Sequence, residues 1–276
     1  MIPVVDLYGS DLRVPSIDAD SLAAAAEFEP DNGVYLVART YRGGQELLLD
    51  EHINRMERSA AALGHSLTVP RERIRRILAD MRVDAGFQEG RFRVTAVLDD
   101  RVWYRLSMEP ASEVPAELRA HGVHCVLWPG GAREDASVKS TAWMHARAQP
   151  TAQGGAPPYE RLLTDADGRV LEGTSSNVYF VVDGALRTAG EGVLAGIARR
   201  LILEVAPPIV PVRMEALREE RLPEASEAFL SSATRGVVPI RSIGAVVYGD
   251  PGPVTRAIAE AYDRRMAALV GPLVPG

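Results

Sequence analysis

Several things are scarce in this chain of 276 residues. Cysteine occurs once, at Cys125. One thiol cannot close an internal disulfide, so a reducing compartment is expected. Its place in the apolar run Val123 to Trp128 suits a small buried hydrophobe better than a reactive thiol. No run approaches the ~20 apolar residues of a membrane-crossing helix. The opening stretch has neither a basic segment nor an apolar core, so no secretory signal is expected. Positive charge is not in excess: the net charge is −6 and the pI about 5.5. That balance excludes the basic face of a typical nucleic-acid binder. The expectation is a soluble, cytoplasmic protein with no nucleic-acid or membrane partner. With 46% hydrophobic and 25% charged residues, the length supports one large domain or two modest ones.

Lysine is the scarcest cation. Lysine and arginine together number 31, and Lys139 is the sole lysine among them. A chain that otherwise always chooses arginine keeps this lysine against its bias. Arginine stays protonated in proteins, whereas a buried lysine can lose its proton. The resulting amine attacks carbonyls and forms Schiff bases. A chance surface lysine is the alternative, and the surroundings decide between them.

Residues 1–32 read as irregular apart from a short Ala-rich piece, Ser21 to Ala26. GVYLVARTY (33–41) is rich in β-formers and turns at Arg42 to Gln45 into a return strand, Glu46 to Leu49. Asp50 is positioned to cap a helix to Leu63, stopped by Gly64. A second helix is expected over Arg71 to Ala85, and a hairpin over Arg91 to Leu98 and Val102 to Met108. Glu109 to Pro115 has linker composition. Short strands follow at Gly122 to Trp128, Arg161 to Thr164, Arg169 to Leu171, Asn177 to Val182 and Ala185 to Thr188. A helix then runs from Gly196 to Val205. Strands return at Ile209 to Arg213, Glu227 to Ser231 and Gly236 to Ile243. Pro253 starts a closing helix, Val254 to Leu269. The expected fold is α+β in two domains. Residues 1–109 form a small α/β domain with an antiparallel sheet, and 110–120 a linker. Residues 121–276 form a larger barrel-like β domain that carries the lysine.

Four stretches could carry chemistry. Glu172 precedes a bunch of small polar residues, Gly173 to Asn177, which suits a lined pocket or a solvated turn. Gly192 to Ile197 leads into a helix whose free N–H groups could hold an anion. Ser231 to Gly236 is a hydroxyl-rich turn, a second possible phosphate cradle. Arg55, with Arg58 and Ser59 at helical spacing, could grip a phosphate or simply face solvent.

In order, GVYLVARTY, EHINRM, SVKS, LEGTSSNVYFV, LRTAGEGVLAGIAR and FLSSATRGVVPI resemble the fold-type IV pyridoxal-phosphate enzymes, also called class IV aminotransferases. That family includes branched-chain and D-amino-acid aminotransferases and aminodeoxychorismate lyase. The resemblance covers residues 33 to about 241 and implies pyridoxal 5′-phosphate as cofactor. It implies that Lys139 holds the cofactor as a Schiff base and moves the substrate α-proton. Glu172 would face the pyridine nitrogen. Arg55 and the N–H groups of Ile197 and Ala198 would bind the phosphate, with Ser232, Ala233 and Thr234 in the other phosphate turn. Arg39, Arg93 and Tyr35 are candidates for binding the substrate. A homodimer is implied as well.

Some residues depart from the family pattern. Leu36 replaces a common Glu or Thr, and Ala198 replaces a frequent threonine. Ala233 stands where branched-chain enzymes usually carry threonine, and Met144 where they carry tyrosine. Trp143 suits either the pocket or the core. Branched-chain specificity is therefore not transferred. The expected activity is an aminotransferase acting on an amino acid and a keto acid or aldehyde. The alternatives are an aminodeoxychorismate-type lyase eliminating pyruvate, and a cofactor-binding protein without turnover.

Overall fold

A computed structural model describes residues 1–133, 135–147 and 157–274. Its contacts divide the chain into two units: Met1–Ser112 with Val138–Pro150 and Leu269–Gly276, and Glu113–Ser137 with Thr151–Ala268. Lys139, expected in the second domain, groups with the first unit. The reason is local: its carbonyl accepts from the Tyr35 N–H at 3.1 Å, its N–H donates to Ser59 Oγ at 3.2 Å, and Ser140 bridges Val34.

Unit 1 is a seven-stranded sheet in the order Val270–Pro272, Gln45–Leu47, Gly33–Tyr41, Gly90–Val97, Trp103–Pro110, Val4–Tyr8, Asp11–Arg13. Every pair in it is antiparallel. Side chains alternate across a strand, and directly opposed residues share a face. Val34, Leu36, Ala38, Phe92, Val94, Ala96, Leu106, Met108, Val5 and Leu7 are therefore on one face, and all lie in one buried apolar cluster. Tyr35, Arg39, Arg93, Thr95, Arg105, Ser107 and Asp6 follow the opposite alternation, giving a polar face. Leu36, the departure from the family pattern, belongs to the apolar face and is fully buried there.

Two helices, Leu49–Ala62 and Arg71–Asp84, cover the apolar face. Ile53, Met56 and Ala60 of the first, and Ile74, Ile77, Leu78 and Met81 of the second, enter the same core. Full burial of each large apolar side chain contributes about 1.5–3 kcal/mol. The first helix begins at Leu49, ahead of the expected cap at Asp50. Leu48 takes the cap position with φ 54°, and the Glu46 carboxylate accepts the Leu49 N–H. Asp50 pairs with Arg71 and Arg75 instead.

Other expectations shift. The N-terminal segment is not irregular: Val4–Tyr8 pairs with Trp103–Pro110 and buries Val5 and Leu7. Glu109 and Pro110, assigned to a linker, end that strand. A helix, Thr141–Arg147, follows Lys139. The strand at Ile209 to Arg213 shrinks to Val212–Arg213, and a strand at Val270–Pro272 follows the closing helix.

Unit 2 is built on a ten-stranded sheet. Within it Asn177–Val182, Glu227–Ser232, Gly236–Ile243, Val123–Trp128, Glu160–Thr164 and Arg169–Gly173 pair successively. The pairing of Asn177 with Glu172 closes them into a ring. Closure removes the open edges of these strands. Val123, Cys125, Leu162, Val170, Val178, Phe180, Leu230, Val238 and Ile240 form its apolar core. Burial pushes the Cys125 thiol pKa up, as expected of an inert core cysteine. Among the described residues no helix is long and apolar enough to cross a membrane.

Candidate functional site

In unit 1 the lysine sits against the sheet and the first helix. Lys139 Nζ lies 4.9 Å from the centroid of the Tyr35 ring, and Tyr35 is 2% exposed. Thr141, two residues on, fixes the start of the same strand: its Oγ1 accepts the Gly33 N–H at 2.9 Å and donates to the Gly33 carbonyl. Met144 packs with Tyr35, Ala26 and Val37. Lys139 is thus clamped through its main chain on both sides. Trp143 is half-buried on the same helix.

The first helix turns a second stripe toward this point. His52, Arg55 and Ser59 lie three and four residues apart and are all buried, so they share a face. Arg58 lies off it and is exposed. Ser59 holds the Lys139 N–H. His52 is completely enclosed; burial, then the charges of Arg55 and Lys139, hold its pKa well below 6.5. It is a neutral imidazole beside two cations. Helical spacing from Arg55 marks Ser59 in the sequence; the same spacing, counted backwards, points to His52, which the sequence reading missed.

The polar face of the sheet carries two arginines in buried ion pairs. Arg93 grips Glu29 with two nitrogens at 2.6–3.0 Å and stacks over Tyr35 with its Cζ 3.6 Å from the ring centroid. The side chains of this pair are 4% and 1% exposed. Arg105 grips Asp6 in the same two-pronged way. Arg93, expected to receive a substrate carboxylate, therefore has its guanidinium fork on an internal carboxylate. Arg39 is buried, its Nε donating to the Thr40 carbonyl and its Cζ 5.0 Å from the Tyr41 ring. No local pattern in the sequence marks Glu29 or Asp6, which lie far from their partners in the chain.

In unit 2 Glu172 is 2% exposed and held from three sides. Its Oε2 accepts from Asn177 Nδ2 at 3.3 Å and from the Leu194 N–H at 3.1 Å, and its Oε1 lies 2.9 Å from Arg133 Nη2. Asn177 also donates to the Leu194 carbonyl, tying the carboxylate to the loop that enters the next helix. At Gly196 a Cβ would run into Asn177 Oδ1, so glycine suits this close approach. The helix it opens, Ile197–Val205, has no side-chain cap; the Ile197 and Ala198 N–H groups are donors facing out of its first turn. Ala198, where the family often has threonine, keeps that donor. The hydroxyl-rich turn runs from Ser232 to Gly236, with Gly236 at φ +65°, and Ser231 Oγ meets the hydroxyl of Tyr179.

Taken unit by unit, the amine and the cation of unit 1, and the carboxylate and backbone donors of unit 2, are the groups that a phosphorylated pyridine aldehyde calls for. A dianion needs backbone donors and a cation, a ring nitrogen needs a carboxylate, and an aldehyde needs an amine. Ser176 Oγ, buried and with no hydrogen-bond partner among the described residues, leaves further polar capacity beside Gly173. Among the described residues no acidic, histidine or cysteine cluster could hold a metal ion.

Residues 33–243 match the family described as Amino-transferase class IV, and the chain belongs to that family. It is 34% identical over 110 residues to a probable branched-chain-amino-acid aminotransferase of Thermotoga maritima. That match covers 38% of this chain and 40% of the relative. A D-alanine aminotransferase of Bacillus licheniformis is 27% identical over 245 residues, covering 83% and 86%. Among solved structures, the branched-chain amino acid aminotransferase of Escherichia coli superposes with a TM-score of 0.78. The two are 19% identical, over 95% of this chain and 94% of that one. That likeness establishes the fold-type IV architecture. A further branched-chain amino acid aminotransferase of the same fold, with a TM-score of 0.79 and 18% identity over 98% of this chain and 99% of that one, was solved with pyridoxamine 5′-phosphate.

Proposed function

We propose that the protein is a pyridoxal-phosphate-dependent aminotransferase that moves an amino group between an amino acid and a keto acid or aldehyde. The observation that carries this reading is the chain's sole lysine, clamped by Ser59 and Tyr35 with its amine over a buried tyrosine ring. Pyridoxal phosphate, when bound, supplies an aldehyde for the amine and a conjugated ring that accepts electrons as the substrate α-proton leaves.

The chain's own residues divide the remaining work. Lys139 anchors the cofactor and then takes and returns the proton at the substrate Cα. Neutral His52 adds no third positive charge beside Lys139 and Arg55. Arg55 offsets phosphate charge, and the Ile197 and Ala198 N–H groups and the Ser232, Ala233 and Thr234 turn donate to phosphate oxygens. Glu172, paired with Arg133, holds a proton on the ring nitrogen. With the Arg93 fork on Glu29, the substrate carboxylate falls to Arg39, and Tyr35 walls the substrate. A homodimer and a cytoplasmic location complete the reading, supported by the family and by the single cysteine.

The test is Lys139→Ala. Purified protein is supplied with pyridoxal phosphate and, in turn, L-glutamate, L-alanine and D-alanine, and keto acid release is measured. The wild type should release the keto acid of one donor, which also gives its handedness. Loss of the acid–base group alone costs about 10²–10⁴-fold in rate. A Lys139→Ala protein that transaminates at the wild-type rate would sink the reading. Pyruvate formed from a chorismate-type substrate, with no response to any donor, would replace it with a lyase.

A further inference from the structure

Two loops of unit 2 are joined through an arginine that has no task in the proposed reaction. Arg235 sits in the turn that follows Ser232. Its Nη2 lies 3.0 Å from Glu160 Oε2 and donates to Ser175 Oγ at 2.8 Å. Its Nε donates to Ser232 Oγ at 3.0 Å, and its Cζ is 5.4 Å from the centroid of the Tyr159 ring. The Glu160 side chain is 1% exposed and also accepts from the Ser175 N–H, Ser175 Oγ and Thr174 Oγ1. The loop after Glu172 and the turn at Ser232 are therefore both tethered to one ion pair.

The consequence lies in where protons point. Arg235 Nε carries one hydrogen, and it goes to Ser232 Oγ. A hydroxyl oxygen that accepts from a cation directs its own O–H elsewhere and becomes a stronger donor. Ser175 shows the same pattern within the cluster: it accepts from Arg235 and donates to Glu160. Ser232 accepts from Arg235 in the same way but sits at the turn itself, with its own O–H turned away from the guanidinium.

We propose that Arg235 is a positioning residue for the cofactor phosphate and acts through Ser232. Glu160 fixes the guanidinium, the guanidinium fixes Ser232 Oγ as an acceptor, and the Ser232 O–H donates to a phosphate oxygen. This rests on the assignment of the Ser232 to Thr234 turn to the phosphate. A lysine at position 235 would keep the charge but lose the planar fork that reaches Glu160, Ser175 and Ser232 together.

The test compares pyridoxal phosphate with pyridoxal, which lacks the phosphate. Each is added to ligand-free protein and its Kd read from tryptophan fluorescence, with thermal unfolding of the ligand-free variants alongside. Arg235→Met should weaken pyridoxal phosphate about tenfold, as for one charge-assisted hydrogen bond, and pyridoxal by no more than about twofold. Ser232→Ala should give the same selective loss, and the double variant no more than either single. Arg235→Lys should resemble Arg235→Met. Equal losses for both ligands, or losses that multiply in the double variant, overturn the proposal and leave Arg235 a structural staple. If Arg235→Met does not fold, Glu160→Gln and Ser232→Ala carry the same comparison. A wild type that binds pyridoxal phosphate no better than pyridoxal overturns the phosphate assignment itself.

Discussion

Arg93→Met separates two roles for the arginine beneath Tyr35. The pair Arg93–Glu29 has side chains only 4% and 1% exposed, with three contacts of 2.6–3.0 Å. Removing the cation leaves Glu29 buried and uncompensated, which costs about 3–5 kcal/mol. At about 1.4 kcal/mol per decade, that is roughly two to three and a half powers of ten in the folding equilibrium. Replacing both partners by apolar residues removes the stranded charge as well. Glu29→Leu/Arg93→Met should therefore lie within about 1 kcal/mol of wild type, or above it. The assay is urea unfolding followed by far-UV circular dichroism, with keto acid kinetics on the folded variants. If Arg93→Met costs less than about 1 kcal/mol, as an exposed pair would, the burial argument is refuted. It is refuted equally if the two single losses simply add. A normally stable Arg93→Met whose KM alone rises would return Arg93 to the substrate carboxylate.

Other predictions follow from local geometry. Gly196→Ala should displace Asn177 from Glu172, because the new Cβ meets Asn177 Oδ1; the expected result is weaker pyridoxal-phosphate binding with the helix intact by circular dichroism. Unchanged affinity would show that the loop yields freely. His145 Nδ1 pairs with Asp31 Oδ1, and this contact raises the His145 pKa above 6.5, helped by the Ala26 carbonyl. A raised folded-state pKa gives stability that is present below about 6.5 and lost as pH rises through the folded value. Protection against amide exchange in Thr141–Arg147, taken relative to the intrinsic rate at each pH, should thus fall above that pH, by less than about 1 kcal/mol for so exposed a pair. His145→Gln should abolish the trend, and a trend that persists would assign it elsewhere.

Some parts of the protein are plain in its sequence and others are hidden for physical reasons. The strand Gly33–Tyr41 is legible because its β-formers are contiguous, and Gly236–Ile243 is bounded correctly by a turn glycine. Val4–Tyr8 is not: Val4, Val5, Asp6 and Leu7 are all buried, and burial on both faces leaves no alternation to read. Lys139 stands out by composition, and Glu172 by the small polar residues after it. The partners that hold them do not. Arg133 and Glu172, Asp6 and Arg105, and Glu29 and Arg93 are each brought together by folding, across 39, 99 and 64 residues, and no local pattern announces such pairs. With 30 arginines among the 31 cations, choosing the ones that matter required the fold.

Unit 1 is not one length of chain. Leu273 is buried in its core, its carbonyl held by Arg75 at 3.1 Å, and Val270–Pro272 closes the sheet edge at Gln45–Leu47. Yet 156 residues separate Ser112 from Leu269. At roughly 5–20 residues per second of synthesis, the sheet waits about 8–30 s for its last strand. Throughout that interval Gln45–Leu47 presents unpaired N–H and C=O groups, a template for mispairing. Unit 2 is translated during the wait. A unit begun before unit 2 is thus completed after it, and a cut just before Val270 would injure residues made roughly two hundred positions earlier.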